Sequence, residues 1–237
     1  MKIGSVAFTV TAITCVVVVI ASAARPNVTL PADRTAPLRY VALGDSTVAG
    51  VGATTQQNTY VGRLHARLRE IYPASEVINL GVPGATSADL VREQAGLAVA
   101  YAPELVTLSV GPNDITQRVP RPQYERNLDA LFRRLRVETT AVIVATLLPD
   151  LGITPRFERA PEREAVSGAS RAFNDVLRRQ ARAWGVTLVD LHEPSQAEVP
   201  RNRGLVAADG YHPSDAGYAR WADLMWAAIV PLVPAAR

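Results

Sequence analysis

A serine, an asparagine and an aspartate–histidine pair stand in three short blocks: Gly44-Asp45-Ser46-Thr47, Gly111-Pro112-Asn113-Asp114 and Asp209-Gly210-Tyr211-His212-Pro213. These are the side chains that nucleophilic acyl transfer requires. A serine hydroxyl attacks a carbonyl only when a nearby base takes its proton, and an imidazole is suited to that task. A carboxylate beside the imidazole selects its tautomer and steadies the charge that develops. A neutral amide can donate to the oxyanion, and Pro112 has no backbone N–H to offer in its place. The expected roles are therefore Ser46 as nucleophile, His212 as base, Asp209 as its orienting partner and Asn113 as an oxyanion donor. Taken singly, each block is an ordinary turn, because Gly, Asp, Ser and Asn dominate turns. Their joint occurrence in one chain carries the reading.

The elements that must bring these blocks together are visible as alternating patterns. Short apolar runs, several rich in β-branched residues, begin at Arg39, Val77, Leu105, Ala141 and Val186, and they end near Leu43, Leu80, Val110, Leu147 and Leu191. Strands buried on both faces of a parallel sheet look like this. Between them, Tyr60, Leu64, Leu68 and Ile71 recur at helix spacing. So do Leu128, Leu131 and Leu135 after Pro122, and Phe173, Val176, Leu177 and Trp184. Ser214 can cap a last helix, with Asp215 in its first turn and Tyr218, Trp221, Leu224 and Met225 on one stripe. Strand alternating with helix implies a three-layer α/β/α sandwich on a mostly parallel, five-stranded sheet. Ligands bind beyond the carboxyl ends of such strands, and Ser46, Gly81 and Asn113 all follow strands at that edge. A loop over His192–Ala208 is expected to return Asp209 and His212 to the same edge. A second loop, 149–166, is a candidate pocket rim.

The chain ends carry their own signals. Lys2, the apolar stretch Val6–Ile20 and the small residues Ala21-Ser22-Ala23 have the layout of a secretory signal peptide over residues 1–24. The alternative is an uncleaved anchor and membrane association through that segment, although the apolar run is shorter than the roughly 20 residues that span a bilayer comfortably. Residues 25–37, rich in Pro, Ala and Arg, are expected to be a tether, 38–231 the single domain and 232–237 a tail. The one cysteine, Cys15, lies inside the signal, so the mature chain has no disulfide and relies on its core. The net charge of +3 is modest, and the arginines are balanced by acids along helical stretches, which excludes a nucleic-acid footprint. His65, His192 and His212 lack ligand-like spacing, so no metal and no other cofactor is expected.

With the blocks in place, the chain resembles the GDSL-type esterases and lipases, the SGNH hydrolases, over nearly all of residues 38–231. Gly44-Asp45-Ser46, with Thr47 in place of the commonest leucine and Gly50 following, matches the family's first block. Asn79-Leu80-Gly81-Val82-Pro83-Gly84 matches the second, Gly111–Asp114 the third, and Asp209 with His212 and Pro213 the last. The resemblance implies a flavodoxin-like fold and a secreted or envelope-associated serine esterase. It also implies a Ser46–His212–Asp209 triad and an oxyanion hole made of the Ser46 N–H, the Gly81 N–H and the Asn113 amide. A small-molecule, lipid or acylated-carbohydrate ester is the expected substrate, and a monomer the expected state. The competing functions are a membrane-surface phospholipase and a non-catalytic carbohydrate-binding module on the same fold. The module would be marked by loss of one of the four groups, and none is lost.

Overall fold

A computed structural model describes residues 29–235. The secretion signal expected over 1–24 and the start of the tether lie outside the described residues. Five strands, β1 (Arg39–Gly44), β2 (Glu76–Asn79), β3 (Leu105–Ser109), β4 (Val142–Thr146) and β5 (Thr187–Val189), form one sheet in the order β2-β1-β3-β4-β5. Every pairing is parallel, with Tyr40 opposite both Val77 and Leu105, and Leu105 opposite Val142. The expected three-layer sandwich is what the chain adopts.

Among the described residues, nine α-helical segments accompany the sheet: α1 (Ser46–Ala49), α2 (Tyr60–Ile71), α3 (Ser87–Asp89), α4 (Ala95–Ala100), α5 (Pro112–Thr116), α6 (Arg121–Glu138), α7 (Arg163–Trp184), α8 (His192–Glu198) and α9 (Asp215–Ile229). Side chains alternate between the two faces of each strand. Val41, Leu43, Val106, Leu108, Ile143 and Ala145 pack with α4, α6 and α7, while Tyr40, Ala42, Leu105, Val142 and Val144 pack with α2 and α9. Both faces are therefore apolar, as the runs in the sequence require. The helix starts also follow local chemistry. Thr59 accepts from the Gly62 N–H to cap α2, and Ser214 accepts from the Gly217 N–H to cap α9.

Three features had no clear local pattern. α3 and α4 flank a π-helical turn, Leu90–Gln94, in a stretch the sequence leaves unassigned. α8 occupies the first part of the connection expected to be a loop. Leu30, in the unpatterned stretch before β1, is buried against the α2/α9 layer, and its N–H donates to the Leu232 carbonyl at 2.8 Å.

Candidate active site

The first block sits where β1 stops. Gly44 has φ +150°, and a Cβ there would stand 2.1 Å from the Ser109 carbonyl oxygen of β3, so only glycine lets the two strands close up before the turn. Asp45 then caps α1: its Oδ1 accepts from the Thr47 N–H and hydroxyl, both at 2.9 Å. Ser46 thus begins a helix at the carboxyl edge of the sheet. Gln94, from the π-helical turn, is buried and grips the same glycine. Its Oε1 accepts from the Gly44 N–H and its Nε2 donates to the Gly44 carbonyl, each at 2.9 Å.

The last block reaches Ser46 from the far end of the chain. His212 Nε2 lies 2.8 Å from Ser46 Oγ, and His212 Nδ1 lies 2.5 Å from Asp209 Oδ2. The other carboxylate oxygen, Oδ1, accepts from the Tyr211 and His212 N–H groups, which fixes the Asp209–His212 turn. Burial pushes the Asp209 carboxyl up, but the His212 ring and these two N–H groups outweigh it and hold it below the ordinary carboxylate range. With the Nδ1 proton held by Asp209, Nε2 is the acceptor facing the serine hydroxyl. Such a chain can move the Ser46 proton to His212.

Asp45 is the other notable carboxyl. It is fully buried, and its Oδ2 has no hydrogen-bond partner among the described residues. Burial pushes it up to about 6, against the opposing pull of the Thr47 hydrogen bonds. Asp114, next to Asn113, is also buried and accepts from the Ser87 N–H and hydroxyl, which ties α5 to α3.

Two of the expected oxyanion donors are free to act. The Ser46 N–H makes no hydrogen bond among the described residues. One Asn113 amide hydrogen goes to the Ala85 carbonyl at 2.9 Å, leaving the second available. Gly81 is different. Its N–H donates to Asn79 Oδ1 at 2.9 Å, and Asn79 Nδ2 donates to the Val48 carbonyl at 2.7 Å. While those bonds are made, the Gly81 N–H cannot serve a substrate oxygen. Its glycine is needed for packing instead, because a Cβ would stand 2.5 Å from the Ala49 nitrogen. Gly84, three residues on, has φ +85°, and its N–H is unengaged among the described residues. The Gln117 amide holds its carbonyl, and Asn113 holds the next residue's. The Asn79–Gly84 block contains both glycines, so its spacing alone did not separate the packing glycine from the one with a free donor.

A cleft opens beside Ser46 and His212 and runs past Ser109, Val110, Thr146 and Leu148 toward α8 and α9. Loop 149–166 contributes Pro149, Asp150, Leu151 and Thr154 to it, as its rim assignment anticipates. The loop is latched to the Asp209–His212 turn by the Arg156 N–H, which donates to the Gly210 carbonyl at 2.9 Å. The Arg156 guanidinium lies over the Tyr211 ring, 5.0 Å from its centroid, and Tyr211 meets His212 edge-on. His192 is buried with Nδ1 3.3 Å from the Leu148 carbonyl, and His65 Nε2 meets the Ser75 carbonyl; neither ring approaches Ser46 through a hydrogen bond.

Comparison with known proteins gives the family. The model of the GDSL-like Lipase/Acylhydrolase family matches residues 42–220. Esterase TesA of Pseudomonas aeruginosa is 26% identical over 191 residues, covering 81% of this chain and 87% of that protein. A GDSL-like esterase of Mycobacterium tuberculosis is 30% identical over 192 residues, covering 78% of this chain and 60% of that one. The crystal structure of TesA superposes with a TM-score of 0.68 at 25% identity, covering 82% of this chain and 99% of that one. The chain belongs to the GDSL-like lipase/acylhydrolase family, the SGNH hydrolases, and is an ester hydrolase.

Proposed function

We propose that Ser46, His212 and Asp209 are the catalytic triad of a secreted esterase. The observation that carries this reading is the unbroken hydrogen-bond chain from Asp209 through His212 to Ser46, closed between residues 166 positions apart. Ser46 Oγ attacks the ester carbonyl as its proton passes to His212 Nε2. The negative charge develops on the carbonyl oxygen, within reach of the Ser46 N–H and the free Asn113 amide hydrogen. The Gly84 N–H is better suited than the Gly81 N–H to be the third donor, since Asn79 already occupies the latter. Collapse breaks the bond to the alcohol, which leaves with the proton from His212. Water then attacks the acyl-enzyme, His212 takes its proton and returns it to Ser46 Oγ, and the acid is released. Asp209 stays ionised throughout and stabilises the imidazolium.

Side chains, backbone N–H groups and water complete the proposed cycle, so activity on a short ester is expected to survive exhaustive chelation. Lys2, the apolar stretch and Ala21-Ser22-Ala23 support export, with a mature chain beginning near Ala24. The decisive experiment is covalent labelling. A fluorophosphonate should modify one residue, identified as Ser46 by mass spectrometry, and block ester hydrolysis with one-to-one stoichiometry. A label on another residue overturns the assignment.

A further inference from the structure

The cleft beside Ser46 and His212 is lined along one face of α9 by Gly217, Arg220, Trp221 and Leu224. Gly217 abuts the catalytic loop, since a Cβ there would stand 3.0 Å from Pro213 Cβ. Trp221 and Leu224 follow along α9 and line the same cleft. At 1.5 Å per residue, Gly217 and Leu224 are roughly 10 Å apart along the helix. Pro194 of α8, Val199 just past its end and Leu205 add further apolar walls. The charged residues that line the slot near α8 and α9, Glu198 and Arg220, are bound to each other by three contacts of 2.8–3.1 Å. They join the two helices, and the buried Asp150 on the same lining is already engaged by the Gly152 N–H, the Ser167 hydroxyl and the Gln196 amide.

We infer that this slot binds the acyl chain of the substrate, a linear uncharged hydrocarbon lying along α9 from Gly217 to Leu224. An extended chain advances roughly 1.3 Å per methylene, given C–C bonds of about 1.5 Å. The slot therefore suits chains of about six to ten carbons. The acyl group, not the alcohol, is assigned to it because the acyl group stays on Ser46 through both chemical steps while the alcohol must leave before water enters. The inference rests on the esterase reading of Ser46 and goes further by naming the substrate class.

The test measures kcat/KM on 4-nitrophenyl esters from acetyl to palmitoyl and on alkyl acetates of rising alcohol length, with the parent and Leu224→Trp. In the acyl series the value should rise roughly two- to fourfold per methylene to about eight carbons and then fall. Leu224→Trp, which fills the far end, should lower the octanoyl-to-acetyl ratio at least tenfold. A flat acyl profile overturns the proposal, as does a ratio unmoved in a variant whose near-UV CD matches the parent. A rise confined to the alkyl acetates overturns the acyl assignment. Calorimetry on Ser46→Ala isolates the slot from the chemistry: octanoate should bind more tightly than acetate, and Leu224→Trp should weaken it. Failure of that preference sinks the slot alone, whereas absence of both ester turnover and fluorophosphonate labelling in the parent sinks the hydrolase reading beneath it.

Discussion

Gln94 holds Gly44 by both of its backbone groups, accepting from the N–H and donating to the carbonyl at 2.9 Å each. The Gly44 carbonyl also accepts from the Val82 N–H at 3.1 Å, so one peptide group links the Gly44–Ser46 turn to the loop carrying Gly84. Replacing Gln94 by Leu leaves the Gly44 N–H buried without a partner, at a cost of about 1–3 kcal/mol. A fall in kcat on the order of tenfold with KM little changed is expected, since small misplacements of reacting groups are costly. Gln94→Glu restores the acceptor but not the donor and should recover part of both losses. Urea midpoints and steady-state kinetics on the three proteins test this. A Leu variant with parental kcat would remove Gln94 from the positioning of Ser46.

Ser46 and His212 act as one unit in the proposed mechanism, so their substitutions should not multiply. Ser46→Ala and His212→Ala should each abolish nearly all hydrolysis, and the double variant should be hardly slower than either. Fluorophosphonate labelling of Ser46 should slow greatly in His212→Ala. Multiplicative losses in the double variant would mean that the two residues contribute independently.

Asn113→Ala removes the proposed side-chain oxyanion donor. It should lower kcat by roughly 10²–10³-fold with substrate affinity little changed. Asn113 also braces the Ala85 carbonyl, so the test includes circular dichroism of the variant. Equal rates for a folded variant and the parent would exclude the amide from the mechanism.

Gly81 and Gly84 should respond differently to alanine. A Cβ at Gly81 collides with Val48 and Ala49, whereas Gly84 has open space and only its positive φ to resist the change. Gly81→Ala is expected to lower the urea midpoint more than Gly84→Ala. Gly84→Ala is expected to lower kcat by at least tenfold as the backbone shifts away from φ +85° and misdirects the N–H. A stable, fully active Gly84→Ala variant would return the third donor role to another group.

Asp45 makes stability depend on pH. Its folded value, about 6, lies above the unfolded value of 3.8, so the native state holds its proton more tightly. Ionisation therefore destabilises the fold, increasingly as pH rises from near 4 through 6, by up to about 3 kcal/mol at neutrality. Asp209 has the opposite sign, its stabilisation being lost only as pH falls below the ordinary carboxylate range. Between pH 5 and 7 the parent should lose about 1 kcal/mol relative to Asp45→Asn. Urea denaturation of both proteins at the two pH values measures the difference, and parallel pH dependences would show that Asp45 does not titrate as described.

The alternation of short apolar runs with helix-period stripes was enough to specify the layers and the parallel sheet, because both faces of β1, β3 and β4 must be covered. The position of Ser46 and Asn113 after strands placed them at one sheet edge by topology alone. The Asp209–His212 spacing allowed a tight turn. What the sequence could not supply was which glycine of the Asn79–Gly84 block keeps a free N–H. That choice depends on Asn79 folding back onto Gly81 and Val48. Gln94 was equally invisible, since its function is a contact 50 residues away made through a π-helical turn with no periodic signature. The slot was hidden for the same reason: Trp221 and Leu224 are an ordinary apolar stripe until α8, α9 and loop 149–166 leave space between them. Local pattern encodes which residues can be buried and which can react; only tertiary packing decides which donors stay unpaired and where the core leaves room for a substrate.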